Sequence, residues 1–144
     1  MEKLKCTSTK DNKKVIELIF KYLVNKNSNL LFLCGDMGSG KTTLTYDIAK
    51  FLNTKHQVSS PTFVIQKIYK LGVNNFNFSN IYHIDLYRLI DICEINDLNL
   101  FEDIADKKNL FIIEWPEKVK YQFTNYVSVN IKVYKNGSRL FMVD

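Results

Sequence analysis

A chain of 144 residues is long enough to bury one hydrophobic core and short for two, so a single domain spanning 1–144 is expected. Its composition is 46% hydrophobic, yet no apolar run approaches the roughly 18 residues of a membrane span, which argues against a transmembrane protein. The net charge of +5 rests on 20 basic residues, of which only Arg88 and Arg139 are arginines. The lysines are scattered, with no cluster longer than Lys13-Lys14 or Lys107-Lys108, which argues against a dedicated nucleic-acid stripe.

Residues 1–6 carry charges without the apolar segment of a signal peptide. Cys6, Cys34 and Cys93 are widely spaced and lack the paired spacing of zinc sites, and His56 and His83 do not suggest a metal pair. Free thiols in a reducing compartment, and hence a cytoplasmic protein, are the expectation.

In chain order, residues 11–24 place Val15, Leu18, Ile19, Tyr22 and Leu23 at helical spacing and stop at the Asn-rich segment 25–29. Residues 30–34 are an unbroken apolar run, the form of a buried strand. After a Gly-rich loop, residues 42–52 return to helical spacing with Leu44, Ile48, Phe51 and Leu52. Residues 58–63 form a connection marked by Pro61. Residues 63–71, a Gly/Asn turn and residues 81–85 read as a long β-hairpin. Residues 88–104 are predicted helical in one or two pieces, with Leu89, Ile92, Cys93, Ile95, Leu98 and Phe101 as apolar contacts. Residues 110–113 are a second continuous apolar run, suited to a parallel strand covered on both faces. Residues 126–134 alternate as a half-buried strand, and Gly137 turns the chain back into 140–143.

The loop between the first strand and its helix carries the most information. Gly35, Gly40, Lys41 and Thr42 satisfy G-x-x-x-x-G-K-[ST], in which backbone N–H groups turn inward around phosphate oxygens. The lysine reaches the outer phosphates, the hydroxyl serves Mg²⁺, and the helix start adds a favourable dipole end. A nucleoside triphosphate is the expected ligand. The expected fold is α/β, a P-loop NTPase-like three-layer sandwich with a mixed parallel and antiparallel sheet.

Such a loop needs a carboxylate at the end of a neighbouring strand to hold Mg²⁺ or its water shell and to orient water. Glu114 directly follows the apolar run 110–113, and Asp85 closes 81–84 in the same manner. Thr62 lies on a connection that can return to the γ-phosphate side, where its hydroxyl either senses the terminal phosphate or stabilises the turn, and Trp115 with Pro116 can shape the pocket or close the strand end.

Four separated motifs now stand together: Gly35-Asp36-Met37-Gly38-Ser39-Gly40-Lys41-Thr42-Thr43, Ser60-Pro61-Thr62-Phe63, His83-Ile84-Asp85-Leu86-Tyr87-Arg88-Leu89 and Glu114-Trp115-Pro116-Glu117. In order and spacing they resemble the bacterial TsaE (YjeE) family of P-loop ATPases, required for threonylcarbamoyladenosine formation in tRNA. The resemblance implies a slow Mg²⁺-dependent ATPase, with ATP and Mg²⁺ as cofactors, acting as an accessory to a TsaB–TsaD pair. tRNA would then be met indirectly, through that complex. It implies that Gly35, Asp36, Gly38, Ser39, Gly40, Lys41, Thr42 and Thr43 surround the nucleotide, with Thr62 and Trp115 nearby. Lys41 would contact the β- and γ-phosphates, Thr43 the inner phosphate, and Thr42 and Glu114 the Mg²⁺. Asp85 and Trp115 match positions tied to ATPase function, and residues 60–63 match a switch-like loop. Met37 and Ser39 replace the family's commoner Leu and Ala, and Lys14 stands where a nucleotide-contacting threonine is common. The competing reading, a small P-loop kinase of a small-molecule substrate, calls for several clamping arginines where this chain has two.

Overall fold

The computed structural model describes residues 1–8, 11–55, 57–89 and 100–144. Its centre is a pair of strands with no polar interruption, β2 (Leu30–Cys34) and β5 (Asn109–Glu114), which pair in parallel with Leu30 opposite Phe111 and Leu33 opposite Glu114. Both strands are apolar on alternate and intervening positions because both faces of the sheet are covered there. β4 (Asn80–Asp85) runs parallel on the far side of β5, and β6 (Val127–Val133) runs parallel on the other side of β2. Antiparallel strands complete the sheet: β3 (Gln66–Lys70) on β4, and β7 (Arg139–Val143) on β6. β1 (Glu2–Cys6) then pairs antiparallel with β7, giving the seven-stranded order β1-β7-β6-β2-β5-β4-β3.

One face of the sheet is packed by α1 (Asn12–Asn25) and α2 (Lys41–Phe51). Val15, Ile19 and Leu23 of α1 and Leu44, Ile48 and Ala49 of α2 meet Leu31, Leu33, Leu110, Ile112 and Val129 there. The other face buries Leu30, Phe32, Phe111 and Ile113 beneath Leu86, Leu89, Val119 and the short helix α3 (Leu100–Ala105). Aromatic contacts fill this thinner layer, with Tyr82 stacked on Phe111 at 4.5 Å and Phe32 against Tyr126 at 4.5 Å. The result is a three-layer α/β arrangement with a mixed sheet. Among the described residues no helix is long and apolar enough to cross a membrane.

Several local expectations shift. The strand expected over 63–71 is trimmed at both ends, because Val64 N–H bonds back to the Pro61 carbonyl and Ile65 sits at φ 62°, a turn that turns the chain before pairing begins. The long hairpin loop is ordered by Asn74, whose carbonyl accepts from Phe76 and Phe78 N–H and whose amide donates to Gly72 and Phe78 carbonyls. This aims Phe76 at Phe20 of α1, 4.3 Å between ring centres. Of the helix expected over 88–104, Leu100–Ala105 is helical and 87–88 is a turn. Its contacts Ile92, Cys93, Ile95 and Leu98 lie outside the described residues, as does His56.

Candidate functional site

The sheet positions the site through the carboxyl ends of its parallel strands. β2 and its neighbour β5 send their connections to opposite sides, β2 toward β3 and β4, and β5 toward β6; between such strands open α/β sheets leave a crevice. At that end the chain makes the Gly-rich loop and enters α2. Gly38 and Gly40 adopt φ 74° and φ 104°, which a glycine reaches without the cost of a Cβ. Gly35, at φ 141°, is more constrained: a Cβ there would stand 2.6 Å from the Ile131 carbonyl oxygen of β6 and 2.9 Å from Ser39 Oγ. Gly35→Ala is therefore expected to destabilise the fold by ~2–5 kcal/mol, combining backbone strain with overpacking against a rigid strand. A urea denaturation midpoint equal to the parent's would contradict that close packing.

Lys41 opens α2 and its side chain folds back under the loop. Its Nζ donates to the carbonyls of Gly35 at 2.7 Å and Asp36 at 3.0 Å, and lies 3.9 Å from the centre of the Trp115 ring. Burial pushes this ammonium below the ordinary lysine value, against the opposing pull of the Glu114, Asp85, Glu117 and Asp36 carboxylates. A desolvated cation of this kind is the complement of an incoming anion.

The two strand-end acids are neighbours. Asp85 and Glu114 stand opposite each other in the β4–β5 ladder, so both project on the face that carries the loop and α2. Both are buried, and each is held by its own hydroxyl. Thr42 Oγ1 donates to Glu114, 3.0 Å from Oε1 and 3.3 Å from Oε2, and His83 Nε2 meets the same Oε1 at 2.7 Å. Thr62 Oγ1 donates to Asp85 Oδ2 at 2.5 Å, and Ser60 Oγ lies 2.5 Å from Thr62 Oγ1. Tyr87 N–H closes the other Asp85 oxygen, Oδ1, at 2.9 Å. Thus the connection containing Ser60 and Thr62 is tied to β4 through Asp85.

Trp115, the chain's one tryptophan, follows Glu114 in the left-handed region at φ 58° and starts a 3₁₀ turn at Pro116–Lys118. That turn swings its ring over Lys41 and to 5.1 Å from the Tyr87 ring. The resulting cleft of about 500 Å³ is lined by Gly38, Gly40, Lys41, Thr42, Thr43, Thr62, Asp85, Glu114 and Trp115, together with both arginines. Arg139 Nε donates to the Ser39 carbonyl at 2.9 Å, and the Arg88 guanidinium lies over the exposed Phe63 ring at 4.5 Å.

The structure brings together the sequence-predicted loop, Thr62, Asp85, Glu114 and Trp115. It leaves Asp36 exposed beside the cleft, contributing its backbone carbonyl to Lys41, and Lys14 exposed on α1 outside the lining. Sequence reasoning set His83 aside as a metal ligand and missed its bond to Glu114. The available signal was strand parity, since Ile81, His83 and Asp85 share one face of β4.

These donors fit a polyphosphate with a hard divalent cation. Positive-φ glycines form the cradle, the Ser39 hydroxyl is buried without a partner, and the Thr42–Glu114 oxygens are the ligand type Mg²⁺ takes. Cys34, at the end of β2, serves no such purpose: burial first and Glu117 second push its thiol up to about 11, with Lys120 and Lys41 pulling it down. At pH 8 its thiolate fraction is expected to be ~100-fold below that of a free cysteine, rising tenfold per pH unit toward 11. Peptide-resolved iodoacetamide labelling checks this, and rapid labelling at pH 8 would contradict it.

A family model described as "Threonylcarbamoyl adenosine biosynthesis protein TsaE" matches residues 6–141. The chain is similar to the tRNA threonylcarbamoyladenosine biosynthesis protein TsaE of Rickettsia typhi, 38% identical over 135 residues that cover 92% of this chain and 88% of that protein. The protein of the same name from Haemophilus influenzae is 35% identical over 132 residues, covering 91% of this chain and 79% of the relative. The crystal structure of Bacillus subtilis YdiB superposes with a TM-score of 0.65 over 97% of this chain and 82% of that one, at 24% identity, which shows a shared fold. The chain belongs to the TsaE family.

Proposed function

We propose that this member of the TsaE family is a Mg²⁺-dependent ATPase that serves tRNA threonylcarbamoyladenosine formation as an accessory to TsaD and TsaB homologues in the cytoplasm. The observation that carries the reading is the meeting of the loop hydroxyl with the strand-end carboxylate: Thr42 Oγ1 and Glu114 Oε1 are 3.0 Å apart beside the Lys41 ammonium. A Gly-rich turn with no nucleotide to bind has no use for a buried acid, a buried lysine and a hydroxyl converging on it.

In this reading the backbone N–H groups of Gly38, Gly40 and Lys41 hold the phosphates, while the Ser39 N–H closes the loop onto the Asp36 carbonyl at 3.1 Å, with Thr43 at the inner phosphate and Lys41 neutralising the outer ones. Thr42 and Glu114 would hold Mg²⁺, which when bound supplies charge stabilisation at the phosphate oxygens. Asp85, fixed by Thr62 and the Tyr87 N–H, would orient a water beside Glu114. Trp115 shields Lys41 from solvent, which strengthens the ammonium's interaction with any anion brought beneath it. Because Asp85 is coupled to the 60–63 connection through Thr62, displacement of that connection by a partner alters the acid directly. Stimulation by the partner pair is the expected consequence, and tRNA is reached through that pair.

The test is phosphate release from ATP by the purified chain, alone and with the TsaB–TsaD pair and tRNA. Turnover that rises only with the pair and tRNA supports the reading. Equal rates in both conditions would weaken the accessory role, and transfer of phosphate to a small molecule would favour the kinase.

A further inference from the structure

We infer that His83 is a positioning residue for the proposed metal site, holding the Glu114 carboxylate in the orientation that presents one oxygen to the cation. The inference rests on the reading of Thr42 and Glu114 as Mg²⁺ ligands and adds a residue outside the cleft lining.

His83 is fully buried at the middle of β4, between Lys67 of β3 and Ile112 of β5 in register, on the same face as Ile81 and Asp85. Its surroundings are those of an aliphatic residue; the adjacent inward position of the same strand is Ile81, and the Tyr69 ring centre is 6.2 Å away. An imidazole here leaves Nδ1 buried without a partner. An unpartnered buried polar atom costs stability that a leucine would not. The other nitrogen supplies the reason: Nε2 lies 2.7 Å from Glu114 Oε1, and with Glu114 as the acceptor the tautomer that makes this bond carries its proton on Nε2.

The carboxylate torsion of a glutamate is soft, and one donor does not fix which oxygen faces a ligand. Here two donors converge on the same oxygen: His83 at 2.7 Å and Thr42 at 3.0 Å both reach Oε1, while Oε2 has only the longer 3.3 Å contact to Thr42. Oε2 is therefore the freer oxygen. Thr42 is itself a proposed ligand, so its hydroxyl is shared with the cation's needs. His83 is the donor whose hold on Glu114 is independent of the cation. Hydrogen bonds of this kind behind a ligating carboxylate set its orientation, and their loss weakens metal binding without touching the metal.

The experiment titrates Mg²⁺ into chain pre-saturated with a non-hydrolysable ATP analogue, followed by Trp115 fluorescence, which reports the ring lying on Lys41. His83→Leu, close in volume and without donor or orphan nitrogen, is expected to weaken the Mg²⁺ midpoint ~10–100-fold. Affinity for the same analogue in EDTA stays within about threefold, because the phosphate cradle is intact. His83→Gln carries an amide N–H to roughly the position of Nε2 and is expected to restore most of the loss, whereas the shorter His83→Asn does not. Equal Mg²⁺ midpoints for the parent and His83→Leu overturn the inference while leaving the nucleotide reading intact. If His83→Leu fails to fold, equal midpoints for Gln and Asn overturn it instead. A parent chain that binds the analogue but shows no Mg²⁺ response overturns both the metal site and this role, and one that binds no analogue overturns the nucleotide reading first.

Discussion

Lys41→Met is expected to remove measurable ATP turnover while leaving the fold as stable as the parent's. The side chain is buried, and burial already disfavours its charge, so a thioether of similar length relieves a desolvated ammonium and keeps the packing against Trp115. What is lost is two charge-assisted bonds to the Gly35 and Asp36 carbonyls, which rigidify the loop, and the cation proposed for the outer phosphates. By analogy with deleting a single preorganised donor at a site of developing charge, turnover falls ~10²–10³-fold. Phosphate release with the partner pair measures the first effect, and thermal unfolding without nucleotide measures the second. A variant that hydrolyses ATP at the parent rate would remove Lys41 from the reaction. A variant that unfolds many degrees earlier would instead make the lysine structural.

Glu114→Gln should reduce partner-stimulated turnover about 10²-fold or more, the scale expected when several kcal/mol of metal-borne charge stabilisation are lost. The substitution keeps the shape of the side chain at the end of β5. Its amide oxygen can still accept from Thr42 and His83, so the local fold is expected to survive. The difference from Lys41→Met lies in binding: nucleotide affinity in EDTA is expected to remain near the parent's, while the dependence on Mg²⁺ concentration is lost or greatly weakened. Equilibrium binding with and without Mg²⁺ separates the two variants. Unchanged Mg²⁺ dependence in Glu114→Gln would mean that another group carries the ion.

Much of the fold and of the candidate site is legible in the sequence. The runs 30–34 and 110–113 announce central parallel strands because only a strand covered on both faces can be apolar throughout. The loop reads directly because its glycines serve backbone geometry, and an acid following each inner strand reads as a site acid once the loop is known. What stayed hidden depended on pairing across long stretches of sequence. β1 has only Leu4 and Cys6 as inward residues, and its partner β7 lies at the opposite end of the chain. Ile65 at φ 62° contradicts the β-branched preference that extended the expected strand to 63. Arg88 and Arg139 are far apart in sequence, and their presence at one cleft follows from strand order, which composition cannot supply. His83 was legible in identity and, through strand parity, in direction, but not in purpose. Its bond to Glu114 requires the β4–β5 register.

The close approach of Gly35 to Ile131, and the bond from Arg139 to Ser39, have a bearing on how the chain matures. The Gly-rich loop is synthesised well before the strands it leans against, β6 and β7. A ribosome-bound chain that has emerged only through β5 holds every acid and hydroxyl of the site but lacks the wall that shapes the loop. Under the proposed function, nucleotide can therefore do little to stabilise the nascent chain, and competence to bind it comes only as the β6–β7 hairpin docks. Loss of β7 is expected to silence the proposed site without removing one residue from the Gly-rich loop.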